Sequence, residues 1–148
     1  MSGFAAVATY VPHQAPMVLL DEVLQASANH MVCAYTVRRG APFATANGIE
    51  AVVVLEYMAQ TIAAFAGYEG AQLGLPPKVG YLLGCRTLKL TADYVPIGAH
   101  LRIEIRRLWG DSALGNFGCE VHDDNGLVAA AQLTVAQPGP GMALPGDA

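Results

Sequence analysis

Charge is scarce in this 148-residue chain: 14% of residues are Asp, Glu, Lys or Arg, against 53% hydrophobic. Intrinsic disorder needs the opposite balance and is excluded. Basic residues are scarcer still. Eight Lys and Arg against twelve Asp and Glu leave a net charge of −4, which argues against a nucleic-acid partner held by phosphate contacts. No Lys or Arg precedes Arg38, and the first charged side chain is Asp21. A secretory leader needs a basic start and a longer apolar core than Phe4 to Ala8, so the expectation is a cytoplasmic protein. Cysteine is also sparse. Cys33, Cys85 and Cys119 form no CxxC pair and have no His at zinc-ligand spacing, which speaks against a disulfide scaffold and a metal site.

What is present is apolar sequence in quantity, on a chain of one ordinary domain's length. A surface so poor in charge implies burial against another copy of the chain. Ile49 to Tyr68 has about the 20 residues of a membrane span. Glu50 and Glu56 lie inside it, however, and a carboxylate near a bilayer centre costs several kcal/mol. It reads instead as a helix enclosed by protein, apolar on nearly every face, with no membrane span. Asn47 and Glu50 resemble a capping box at its start, and Gly70, Gly74, Pro76 and Pro77 mark its end.

Strand patterns flank this helix. Met31 to Arg39 is rich in β-branched and aromatic residues, whereas Val18 to Leu24 fits strand or helix equally. Val79 to Leu90 is strand-like, with Gly84 as a candidate bulge. In Leu101 to Leu108, Leu101, Ile103 and Ile105 alternate with Arg102, Glu104 and Arg106, the pattern of a half-solvated antiparallel strand. Ala113 to His122 and Leu127 to Ala136 flank DDNG, a hairpin turn by its Asn125-Gly126 pair. These elements predict an α+β domain over residues 1–136, with a curved antiparallel sheet around one long central helix. Residues 137–148 read as a Pro/Gly-rich tail.

Glu56 is the most informative residue. It stands in the most apolar stretch of the chain, where a carboxyl without a cation loses hydration and gains the raised pKa of a general acid. Gln60 lies one turn on and can hold that carboxyl by a hydrogen bond. The alternative is a Glu at the helix's exposed strip or tied to a sheet cation. Glu50 needs no role beyond its cap. Among four histidines, His30, His100 and His122 read as solvent-facing. His13, framed by Pro12 and Pro16, is either a structural imidazole or a positioned base.

YVPHQAPMVLLDEVL resembles the opening of hotdog-fold 3-hydroxyacyl-acyl-carrier-protein dehydratases, VVLEYMAQ their helix motif, and GAHLRIEIRRLWG with HDDNGLVAAAQLTV their closing strands. The words PHQAPM, GIEAVVVLEYMAQTIAAFAG and YLLGCR are closer still to a bacterial branch that includes dehydratases of aryl-polyene biosynthesis. The resemblance covers Tyr10 to Ala136. It implies a hotdog fold, at least a homodimer, and loss of water from a 3-hydroxyacyl thioester carried by an acyl carrier protein or CoA, without metal or other cofactor. Its helix motif implies Glu56 as acid; His13, in the proline-framed opening, is the histidine placed to serve as base, and the backbone N–H groups of Gly48 and Ile49 at the expected helix start are candidate oxyanion donors. One departure stands out. The main family carries its catalytic His in an HFPG word fourteen residues before the helix Glu, where this chain has Pro42 within APFATANG. Two alternatives follow: a non-catalytic acyl-binding subunit in a hetero-oligomer with an active hotdog dehydratase, or a hotdog thioesterase. The basic residues Arg38, Arg39, Lys78, Arg86, Lys89, Arg102, Arg106 and Arg107 could steer an acidic carrier if they converge near the site.

Overall fold

The computed structural model describes residues 3–13, 17–111 and 113–137. The elements run α1 (Val7–Tyr10), β1 (Glu22–Ser27), β2 (His30–Thr36), β3 (Ala44–Thr45), β4 (Gly48–Glu50) and a 3-10 turn (Ala51–Val53). There follow α2 (Val54–Gln72), β5 (Tyr81–Leu90), β6 (Tyr94–Val95), β7 (His100–Gly110), β8 (Leu114–Asp123) and β9 (Gly126–Ala136). Apart from Gln137, the expected tail lies outside the described residues, as do residues 14–16 of the PHQAPM word.

The long helix forms where the apolar run predicts, but it starts five residues later than expected. Gly48–Glu50 is a strand: Ile49 pairs with Ala44 of β3 and Val95 of β6 and is fully buried. Gly48 takes φ +103°, and a Cβ there would meet the Val95 carbonyl oxygen at 2.1 Å, so this crossing requires glycine. The capping box is therefore corrected. The residue before the helix is Val53, with no side-chain cap, because burying Ile49 between two strands outweighs one cap bond. The other end matches its signals. Gly74 takes φ +72°, its N–H donates to the Ala71 carbonyl and that of Leu75 to the Gly70 carbonyl, the Schellman pattern.

Six strands in the order β1-β2-β7-β8-β9-β5 form one antiparallel sheet, and β3-β4-β6 form a second, small one. α2 packs on the large sheet. Tyr57, Met58, Ile62 and Phe65 of the helix are buried together with Met31, Ile103, Phe117 and Leu133 of the strands. Each such side chain removed from water contributes about 1.5–3 kcal/mol. The alternation expected of β7 holds, with Leu101, Ile103 and Ile105 buried and Arg102 and Arg106 exposed. The β8–β9 hairpin turns on Asp124-Asn125, one residue earlier than expected: the Asp123 carboxylate accepts N–H bonds from Asn125 and Gly126, and Gly126 pairs back with Asp123. Of Val18 to Leu24, only Glu22 to Leu24 enters a strand, the first half of β1, and Gly84 marks a register irregularity in β5.

Ala51–Gln72 is long and apolar enough to cross a membrane, but here it is the core helix, with no exposed residue between Val54 and Gly70. β5 is the opposite case. It closes one edge of the sheet, paired only with β9, and all ten of its residues are exposed. At the N-terminal side α1 crosses α2 at Gly67, where a Cβ would stand 1.8 Å from the Tyr10 carbonyl oxygen. That contact delivers the following residues, including His13, to the helix surface.

Candidate active site

His13 and Glu56 meet beside this crossing. Their Nε2 and Oε1 atoms are 3.9 Å apart, beyond hydrogen-bond length, so both remain available to a bound molecule. The His13 Nδ1 is buried and has no hydrogen-bond partner among the described residues. The expectation of a desolvated Glu56 is corrected: its side chain is 41% exposed in the single chain. At this position α2 faces a cavity left between helix and sheet, which is why the apolar neighbours in sequence do not enclose the carboxyl.

Gln60 ties the site together. It is fully buried, its Oε1 accepts the Leu19 N–H at 2.9 Å, and its Nε2 donates to the Met17 carbonyl at 2.7 Å and to Glu56 Oε1 at 3.2 Å. The amide thus pins residues 17–19 to the helix while orienting the carboxyl. Gly48 and Ile49 fall elsewhere. They sit in β4, line no part of this cavity, and do not start a helix, so the oxyanion donor expected of them is not placed at the site.

The cavity that His13 and Glu56 border has a volume of about 230 Å³. Its walls are Leu55, Ala59, Ile62, Phe65, Phe117 and Val135, and Leu82 of β5 closes one side. For scale, an apolar void of about 150 Å³ holds benzene. At its far end stands a second ion pair, absent from the sequence reading. Arg107 Nη1 and Nη2 contact the Glu69 carboxylate at 3.1 and 2.9 Å, its Nε reaches Asn29, and its guanidinium covers the Phe65 ring at 5.2 Å. Strand parity carried the signal: Arg107 continues the inward series Leu101, Ile103, Ile105.

Asp111 also lines the far end of the cavity, whereas the cysteines, Tyr57, His30 and His100 lie away from it. Burial pushes the Cys33 and Cys119 thiols up to about 12, which leaves them protonated and inert. Tyr57 is raised by burial and by the neighbouring Tyr35 ring 4.9 Å away. His30 bonds Glu104 at 2.6 Å and His100 pairs with Thr36, so both are engaged outside the site. Among the described residues no group of His, Cys, Asp or Glu could hold a metal ion. The basic residues do not form one cluster around His13: Arg38 is bidentate to Asp21, Arg107 to Glu69, and Arg106 lies 4.0 Å from Glu104.

One helix packed on a six-stranded antiparallel sheet of this order defines a hotdog fold. The model of the ApeP-like dehydratase family matches residues 5–144, and the chain belongs to that family. It is similar to a chain of the dehydratase heterocomplex ApeI:P from Xenorhabdus doucetiae, at 29% identity and a TM-score of 0.87, with 93% of each chain covered. The same fold recurs at low identity in a hypothetical thioesterase with coenzyme A from Streptococcus pneumoniae TIGR4 (12% identity, TM-score 0.61, 80% and 88% covered). It recurs again in the PaaI protein of the E. coli phenylacetic acid degradation operon (12%, TM-score 0.59, 80% and 79% covered).

Proposed function

We propose that this chain dehydrates a 3-hydroxyacyl thioester to the trans-2-enoyl thioester, with His13 as base and Glu56 as acid. The observation that carries the reading is the 3.9 Å separation of these two groups at the mouth of an apolar cavity. Adjacent carbons of one substrate can meet them together. Neutral His13 takes the α-proton at Nε2, protonated Glu56 gives its proton to the departing 3-hydroxyl, and water leaves as the Cα–Cβ double bond forms. The imidazolium and carboxylate so produced are opposite charges at short range, and proton return from His13 to Glu56 resets the site. The acyl chain covers Glu56 and supplies the desolvation that the single chain lacks. Gln60 holds the carboxyl at the required angle. The thioester is carried by an acyl carrier protein or CoA, in the cytoplasm, where three free thiols persist.

The chain works as part of an assembly, either as a homodimer or with a second hotdog subunit. The bare edge of β5 supports this, as does the heterocomplex to which the similar Xenorhabdus chain belongs. Pro42, standing where the main dehydratase family has its His, favours a second reading: an acyl-binding subunit whose partner supplies the chemistry.

Incubation with 3-hydroxyacyl and enoyl thioesters, read by mass spectrometry, separates the readings. Interconversion by the purified chain supports dehydration, free acid would mean thioester hydrolysis, and binding without turnover leaves the subunit reading. Glu56→Gln preserves shape and removes the acid. We expect it to lower turnover by about 100-fold or more while acyl binding persists.

A further inference from the structure

We propose that the acyl cavity is a through-channel with a second mouth beyond the Arg107–Glu69 pair, so that chains longer than the channel emerge there instead of meeting a closed end. The proposal rests on the acyl-thioester reading above and adds its substrate class, long chains without a length limit set by the cavity. A second cavity of about 250 Å³ adjoins the first and shares Ala66, Glu69, Arg107, Asp111 and Gln137 with it. It opens past Leu73, Leu75 and Lys78, all exposed, the first at 76%. These two leucines offer apolar surface at the point where an emerging chain would leave the protein.

The rim between the cavities is fixed. Two bonds to Glu69, one to Asn29 and the stack on Phe65 hold the Arg107 guanidinium against one wall. On the same helix, one turn before Glu69, Ala66 contributes only a methyl to the lining that the two cavities share. At about 1.5 Å per residue, α2 advances about 15 Å from Glu56 to Ala66 and about 20 Å to Glu69. With C–C bonds of about 1.5 Å, an extended chain gains about 1.25 Å per bond. Eight carbons placed at Glu56 therefore stop short of Ala66, and sixteen pass it.

Binding of S-alkyl pantetheine thioethers, which can be neither dehydrated nor hydrolysed, tests this by calorimetry below their micelle-forming concentrations. For the unsubstituted chain we expect the sixteen-carbon probe to bind at least as tightly as the eight-carbon one. Ala66→Phe plugs the junction, so it should weaken the long probe by about tenfold or more and leave the short probe unchanged. Retained short-probe affinity doubles as the control for folding, and Ala66→Leu serves if the phenylalanine variant does not fold. A long probe that binds more weakly than the short one to the unsubstituted chain overturns the proposal, as does Ala66→Phe acting equally on both or on neither. If neither probe binds, the acyl-thioester reading itself fails, an outcome distinct from a blind pocket.

Discussion

Gln60 shows how one amide can matter to both fold and chemistry. Its side chain is sealed from water and serves Leu19, Met17 and Glu56 together. Gln60→Ala leaves a buried N–H and a buried carbonyl unpaired, at about 1–3 kcal/mol each. We expect urea titration to find a loss of about 2–4 kcal/mol, and turnover to fall further than stability predicts because Glu56 loses its orientation. A second residue-scale expectation concerns pH. The hydrogen bond from His30 at 2.6 Å holds the Glu104 carboxyl below the usual range, against a smaller upward push from burial. A carboxyl lowered in the folded state contributes stability that is complete above its unfolded pKa and lost as pH falls through its folded value. Urea midpoints of the parent and of Glu104→Gln should thus differ at neutral pH and converge under acid conditions. A gap that persists unchanged in acid would show that the contact acts through packing alone.

At the scale of elements, α1 and α2 are joined by the absence of a side chain. A methyl at position 67 would overlap the Tyr10 carbonyl. Gly67→Ala must therefore lift α1 from the helix, at about 1–3 kcal/mol by the usual cost of overpacking. Because His13 follows α1 closely, the variant should lose turnover as well, and thermal melts run beside activity assays will register both. The sequence made the larger elements legible for physical reasons. The β7 pattern is legible because one face is wet and the other dry, and α2 because an apolar run of that length has few other homes. The helix start misled because Asn47 and Glu50 mimic a cap, while β3, β4 and β6 are only two or three residues long and leave no periodicity to read. Glu56 and His13 were legible as chemically unusual residues in apolar or proline-framed text. Arg107 reads from the sequence only as one of eight basic residues, because a charge is expected on the wet face, and strand parity alone reveals that it points inward.

For the whole molecule, the telling feature is an edge strand exposed along its entire length. Leu82, Leu83, Leu88 and Leu90 stand in water in the single chain. If β5 is the joint between subunits, Leu83→Glu with Leu88→Glu should give a folded chain whose mass by light scattering is that of one subunit, with turnover reduced because Leu82 of the same strand walls the cavity. An unchanged mass would place the joint elsewhere. Such an edge is also a hazard. A long, apolar strand with one open edge is a template for indiscriminate pairing, and only Arg86, Lys89 and the register irregularities of β5 stand as gatekeepers. A chain synthesised in excess of whatever covers β5 would stack on itself before finding a proper mate. If a second subunit covers β5, cells that make the chain have reason to match the two syntheses, and expression alone at high level should send much of it into inclusion bodies.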